Sequence, residues 1–355
     1  MKIILTINSG SSSLKACLFT REGERRSFRY EGLGDNHPAA FDALISDLGG
    51  ALPDAIGHRF VHGGDVNDAA RLLDAEEFAR LEGIVLLAPL HMPGNLHGAR
   101  LCGERFNAPQ VACFDTAFHT TLPEIAQRLP IPREYGLRRY GFHGLNYAHV
   151  AHSLPALIGD AARGRIIVAH LGSGASLCLL DDLKSVDTTM GYTPAGGIVM
   201  ATRSGDLDPG VMLELATRHD TSELSNLVYH NMGLIALSEG ESGDMAALLE
   251  SGSKPARLAV DIFCREVRAA IGALAAKAGG VDALVFTAGI GEHAANVRAT
   301  ICEPLGFLGF KLDSAANRAH ATRIEAGDTK PILIVPADEE TVIRDLTGVL
   351  TSPAR

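Results

Sequence analysis

Residues 3–19 read IILTINSGSSSLKACLF, and residues 166–180 read IIVAHLGSGASLCLL. Each stretch is an apolar strand, a loop of small residues and a second apolar strand, the pattern of a β-hairpin closed by a Gly/Ser-rich loop. Aligning Ser13-Leu14 with Ser176-Leu177 gives an offset of 163 residues and lays Ile3-Ile4 on Ile166-Ile167. A second echo joins residues 43–64 to residues 273–291. Both run helix, Gly-Gly stop, Asp-Ala, apolar strand and glycine turn. Two echoes predict two related halves, each a sheet with a glycine loop at its strand ends, facing each other across a ligand cleft.

The rest of the chain fits that plan. Its 355 residues suit two domains, and 46% hydrophobic residues allow a sizeable core. The net charge of −10, without a basic tail or stripe, argues against nucleic-acid binding. Trp is absent and aromatics are 5%, so a stacking platform for single strands is missing. The six cysteines, Cys17, Cys102, Cys113, Cys178, Cys264 and Cys302, form no CxxC and read as buried thiols of a reducing compartment. No apolar run is long enough for a membrane span, and the first is too short for a signal peptide. The expectation is a cytoplasmic protein.

We place the domain division near Asp115, giving domains 1–115 and 116–340, with a terminal helix (341–355) packing back on the first. Helix 256–278 and strand 332–336 complete the second domain.

Candidate chemistry lies at strand ends. The loop from Asn8 to Lys15 offers backbone N–H groups, hydroxyls and an ammonium to an anion, although it is not a Walker loop. Arg59, in His58-Arg59-Phe-Val-His62, suits a carboxylate or phosphate; alone, it reads equally well as a structural salt bridge. His58 and His62 have no third ligand nearby, which disfavours zinc. Asp115 ends an apolar run, where a carboxylate is costly unless partnered or functional. His143 sits between glycines in Tyr140-Gly-Phe-His-Gly144. Arg203, in Thr202-Arg-Ser-Gly-Asp206, is a second cation for an anionic centre. Phe286-Thr-Ala-Gly289-Ile-Gly291 reads as a strand and a glycine turn.

In chain order, the blocks INSGSSSLK, GHRFVHGG, APLHMP, FDTAFH, RRYGFHG, HLGSGAS, MGYTP, TRSGDLDPG, FTAGIGE and PADEE resemble the acetate kinase family of short-chain acyl kinases. The resemblance implies an α/β fold of two duplicated actin-like, ribonuclease H-like ATPase domains, that of the acetate and sugar kinase, Hsp70 and actin superfamily. It implies a homodimer that uses Mg²⁺ (or Mn²⁺) and ATP/ADP to convert acetate reversibly to acetyl phosphate. Matched by position, Asp115, His143, Arg203 and Arg59 are the catalytic residues, Arg59 holding the substrate carboxylate. Val61, Leu90, Phe142 and Pro194 wall the acyl pocket with Arg59. Lys15, the run His170, Leu171, Gly172, Ser173 and Gly174, the run Asp244, Met245 and Ala246, and the run Gly289, Ile290, Gly291, Glu292 and His293 contact the nucleotide. Asn8 and Glu339 serve the metal.

The chain departs from the family pattern at Ser173 (usually Asn), Ala246 (usually Arg), His293 (usually Asn) and Met92 (usually Asn), and in Leu145-Asn-Tyr147. The segment between Phe19 and Ala55 is some tens of residues short for the family. These departures leave propionate or butyrate as acceptor, and pyrophosphate as donor, as alternatives. An Hsp70-like binding module is the alternative of another class; nothing resembling a peptide-binding domain follows. A dehydrogenase is excluded because the first turn lacks GxGxxG.

Overall fold

The computed structural model describes residues 2–9, 13–31 and 37–352, so residues 10–12 of the first loop lie outside the described residues. The chain divides into two compact units. Residues 1–120, 142–149 and 338–355 form the first; residues 121–141 and 150–337 form the second.

The sheet of the first unit has the order β3-β2-β1-β4-β6-β5. Its strands are β1 (Ile4–Ser9), β2 (Ser13–Phe19), β3 (Arg25–Glu31), β4 (Ala55–Phe60), β5 (Ala70–Leu72) and β6 (Gln110–Phe114). The sheet of the second unit has the order β9-β8-β7-β10-β11, from β7 (Ile166–Leu171), β8 (Ala175–Asp181), β9 (Lys184–Thr188), β10 (Ala283–Thr287) and β11 (Ile332–Ile334). In both, the first three strands form an antiparallel meander, and two later strands add in parallel beside the first. The units are therefore two copies of one α/β topology. Every residue of β7 and β10 is buried, as continuous apolar runs with both faces covered should be.

The duplication is real, but its register differs from the offset of 163. Ile4 lies opposite Ala55 and Ile166 opposite Ala283, so the equivalent of Ile4 is Ile166, an offset of 166 − 4 = 162. Phe19 faces Ile4 and Leu180 faces Ile166, so the second strands differ by 180 − 19 = 161. The two hairpins differ in loop length. Ser9 pairs with Leu14, whereas Leu171 pairs with Ala175, one residue fewer between them. Matching the Ser-Leu pairs therefore slips the first strands by 163 − 162 = 1 residue, which exchanges their faces, and the second strands by 163 − 161 = 2 residues, which keeps them.

Shared hydrogen bonds confirm the corrected register. Ile3 N–H donates to Asp54 Oδ2 and Arg165 N–H to Asp282 Oδ2, both at 2.8 Å. The reverse bonds, Asp54 N–H to Ile3 O (2.8 Å) and Asp282 N–H to Arg165 O (2.7 Å), also match. Each carboxylate thus satisfies the backbone donor at the foot of its sheet.

Within the first unit, Leu5, Ile7, Leu14, Phe41, Leu44, Ile56 and Leu101 form the core under one sheet face, and the helix Met92–Arg105 packs against it. The helix Glu339–Thr351 covers the other face, with Ile343 against Val111 and Cys113. That helix approaches β4 at Gly57, where a Cβ would stand 2.2 Å from Thr347 Oγ1 and 2.5 Å from Ile343 Cγ2. Glycine here sets the height of a helix whose first residue is Glu339. Gly57→Ala should cost about 1–3 kcal/mol by overpacking, read as a lower urea midpoint with an unchanged slope.

His58, on β4, is buried and shares a 2.6 Å hydrogen bond with Gln110 Oε1. Burial pushes its pKa down from 6.5 to about 4 against the pull of Gln110. The unfolded chain therefore binds the proton first, and stability present above pH 6.5 is lost as pH falls toward about 4. In His58→Gln, the difference from wild type in urea-derived stability should shrink across that window. A constant difference would contradict a buried neutral His58.

Candidate active site

Arg59 is the last but one residue of β4, and Asn8 the last but one of β1. Parallel pairing of these strands brings both side chains to the carboxyl end of the sheet, the ligand-binding edge of α/β folds. Asp115 follows β6 at the same edge, its N–H donating to Phe60 O at 3.0 Å. Glu339 opens the terminal helix, whose N-cap is Asp338.

These four side chains meet. Arg59 Nε and Nη2 both donate to Asp115 Oδ2, Nε at 2.9 Å, and Nη1 donates to Asn8 Oδ1 at 3.3 Å. Glu339 Oε2 stands 3.7 Å from Arg59 Nε. Asp115 is fully buried, while the Arg59 side chain keeps 18% of its surface exposed. The cation is thus rooted in the protein, with a face left for an anionic ligand. Burial opposes charge on Arg59, but Asp115 and Glu339 hold its pKa above the ordinary value. For Asp115, burial and the nearby Glu339 outweigh the pull of Arg59 and push the carboxyl up to about 6. Asp115 Oδ1 is buried and meets no donor in normal hydrogen-bond geometry among the described residues.

The sequence reading set 116–340 in one domain; residues 142–149 stand with Asp115 in the first unit. Gly144 N–H donates to Asp115 O at 2.8 Å, and His119 Nε2 donates to Phe142 O at 2.9 Å. A Cβ on Gly144 would lie 2.1 Å from Asp115 O, so only glycine allows this approach. His143, between them, is held at φ +59°, a conformation that costs a non-glycine residue energy and is retained where function needs it. Phe142 and Val61 are buried, and Leu90 is half-buried in the turn before the helix Met92–Arg105. Lys15 pairs with Asn8 in the β1–β2 ladder.

In the second unit, His170 and Leu171 end β7, and Gly172–Gly174 form the hairpin loop. Ala201 N–H donates to Ser173 O at 3.0 Å, tying this loop to the segment that carries Arg203. Arg203 Nη1 donates to Pro194 O at 2.6 Å, joining the second candidate cation to a candidate pocket residue. Gly233 lets another segment close on this one: its Cβ would meet Met200 O at 2.2 Å. Asp244 caps the helix Met245–Ser251 through the Ala247 N–H (3.1 Å), and neighbouring Gly243 abuts Ala201. In the strand-and-turn reading of 286–291 the strand holds, as the end of β10, and the glycine turn needs correction. After β10 the chain forms a helix, Ala288–His293, entered through Ala288 at φ +66°. A Cβ on Gly172 would lie 3.6 Å from Ala288 Cβ, so the nucleotide candidates 170–174 and 289–293 are neighbours.

Sequence reasoning missed two supports. Arg298 is fully buried and donates to Gly291 O and Glu292 O at 2.8 Å and to Asn317 Oδ1 at 2.8 Å, holding the end of that helix. Its signal was an arginine among the small and apolar residues of ANVRATIC. Asn95 lies two residues beyond the block APLHMP, where that motif stopped, and its side chain reaches two strand ends.

The model of the acetokinase family matches residues 44–345. The chain belongs to the acetokinase family. An acetate kinase of Nitrobacter hamburgensis is 43% identical over 387 residues, covering 98% of this chain and 96% of the relative. Among solved structures, a propionate kinase from Francisella tularensis superposes with a TM-score of 0.90 at 32% identity, covering 99% of this chain and 100% of that one. Acetate kinase from Porphyromonas gingivalis gives 0.85 at 31% identity, with the same coverage. This acetokinase is therefore a kinase with the two-unit α/β fold of its family.

Removing Arg59 alone strands a buried carboxylate. Arg59→Met should cost about 3–5 kcal/mol in urea unfolding, and adding Asp115→Asn should return a large part of it. Additive losses in the double-mutant cycle would dissolve the pair.

Proposed function

We propose that this acetokinase transfers the γ-phosphoryl group of ATP to acetate, reversibly, giving acetyl phosphate and ADP. The observation that carries the reading is Arg59: a guanidinium anchored at its root by Asp115 and partly open at its edge. Such a fork suits one small carboxylate. Acetate is ionised at neutral pH and needs no general base. The barrier is the approach of one anion to another, so catalysis here is mainly positioning and charge stabilisation.

Arg59 holds the carboxylate, and Val61, Leu90, Phe142 and Pro194 exclude water from its methyl group. His143 and Arg203 stabilise the equatorial oxygens of the transferring phosphoryl. Asp115 keeps Arg59 oriented and forms no phosphoenzyme. An acetate oxygen bonds to the γ-phosphorus as the bond to the ADP oxygen breaks. Inversion at a chiral γ-phosphorus is expected; retention would replace direct transfer with a two-step route.

Lys15, residues 170–174, 244–246 and 289–293 are proposed to hold the nucleotide. The residues Asn8, Asp115 and Glu339 fit a hard cation: they offer an amide oxygen and two carboxylates. Mg²⁺ keeps several waters and binds substrate phosphates, so one or two protein oxygens suffice to hold it. When bound, Mg²⁺ (or Mn²⁺) would neutralise phosphate charge, with Asn8 and Glu339 as its holders.

We further propose a cytoplasmic homodimer. All six cysteines are buried free thiols, as a reducing compartment allows. No helix among the described residues is long and apolar enough to cross a membrane. The helices Pro209–Arg218 and Thr221–His230 contain no buried residue, and Leu213 is 72% exposed, a face fit for a second copy. Leu213→Glu should lower the solution mass from twice the chain mass toward the single chain.

The reading is tested by incubating the protein with MgATP, a short carboxylate and hydroxylamine. Acyl hydroxamate from acetate is expected. Preference for propionate would favour the second reading suggested by the Francisella tularensis likeness. No product with acetate, propionate or butyrate, from ATP or pyrophosphate, would refute it. Arg203→Ala should lower kcat by orders of magnitude with little change in either KM.

A further inference from the structure

We infer that Asn95 is a positioning residue for the carboxylate site, acting through the backbone that aims Asn8 and Arg59. The inference rests on the proposed role of Arg59. Asn95 lies in the first turn of the helix Met92–Arg105 and is 3% exposed. Its two amide functions go to different strands. Nδ2 donates to Ser9 O at 2.6 Å, just after Asn8 on β1, and Oδ1 accepts the Val61 N–H at 3.1 Å, two residues after Arg59 on β4. These are backbone groups beyond the last β1–β4 ladder pair, Ile7 with His58, where the sheet no longer fixes the spacing of the strands. The Asn95 amide replaces the missing ladder with one donor and one acceptor, which no other side chain except glutamine carries in this form.

The helix is held close enough for this reach. Gly98, one turn on and on the same face, would place a Cβ 2.9 Å from Ser9 Cβ and 3.3 Å from Phe41 Cζ. The result is a fixed span between Asn8 and Arg59, whose side chains then bond at 3.3 Å. Asn95 itself touches neither reacting group in this arrangement; it decides where Arg59 points.

The test separates this role from general stability by the two halves of the amide. Asn95→Asp keeps the acceptor for Val61 and, when ionised, loses the donor for Ser9 O. Asn95→Ala loses both. Each variant is assayed with wild type by hydroxamate formation, with thermal unfolding in parallel. The expected result is a fall in kcat/KM for the carboxylate of about tenfold or more in Asn95→Ala, with the nucleotide KM within about twofold of wild type. For Asn95→Asp, the ratio of variant to wild-type kcat/KM should rise as pH falls from about 8 to about 6, because the introduced carboxyl then regains a proton to donate. Taking the ratio removes the titration of Asp115 common to both proteins.

Equal effects on both substrates, no effect, or a pH-independent ratio would overturn the inference. Failure of both variants to fold would assign Asn95 to stability alone and overturn it likewise. Inactive wild type, by contrast, refutes the kinase reading itself.

Discussion

The ion pair of Arg59 with Asp115 fixes the carboxyl edge of the first unit's sheet. A carboxylate with no exposed surface is tolerated only beside a cation, and a cation that shallowly buried keeps its orientation only when its root is fixed. The strands obey that demand. Parallel pairing of β1 with β4 and β4 with β6 delivers Asn8, Arg59 and Asp115 to one edge, and the terminal helix adds Glu339. Burial and Glu339 raise the Asp115 pKa while Arg59 opposes them, so the site is electrostatically tense before a ligand arrives. On the proposed reading, an incoming carboxylate would meet a guanidinium whose orientation is already set by the fold.

Glycines supply the other half of the design. Gly57 admits the terminal helix against β4, Gly144 admits the His143 turn against Asp115, and Gly233 admits its neighbour against the Arg203 segment. Each is a backbone approach that any Cβ would block. They mark where a second segment closes on a strand or loop, at Gly57 inside β4 and at Gly144 and Gly233 where helices begin.

Much of this was legible in the sequence. Alternation and apolar runs disclosed the hairpins, and the Asp-Ala pairs disclosed the duplication, because Asp54 and Asp282 repeat one backbone cap. Arg59, Asp115 and His143 could be named from charged residues placed beside apolar runs and glycines. Register could not be read, since side-chain similarity does not report loop length; the ladders alone show that one hairpin loop is a residue longer. Asn95 was illegible, and for Arg298 only its place among small and apolar residues could be seen, not its partners. A buried amide and a buried guanidinium earn their places through backbone carbonyls and N–H groups, and those partners carry no sequence signature.

The same distinction clarifies three of the departures from the family pattern, those at Ser173, Ala246 and His293. Ser173 takes part in the loop through its carbonyl, which accepts the Ala201 N–H, and any residue offers that carbonyl. Ala246 is exposed in a helix already capped by Asp244, and the His293 side chain is 78% exposed. The backbone around Gly291 and Glu292 is held from beneath by Arg298, independently of the side chain at 293. All three changes therefore fall on outward-facing side chains of segments whose main-chain geometry is fixed by other residues. Such changes alter which groups a nucleotide would meet at the surface of these segments, and leave intact the loops and helix ends that would cradle its phosphates.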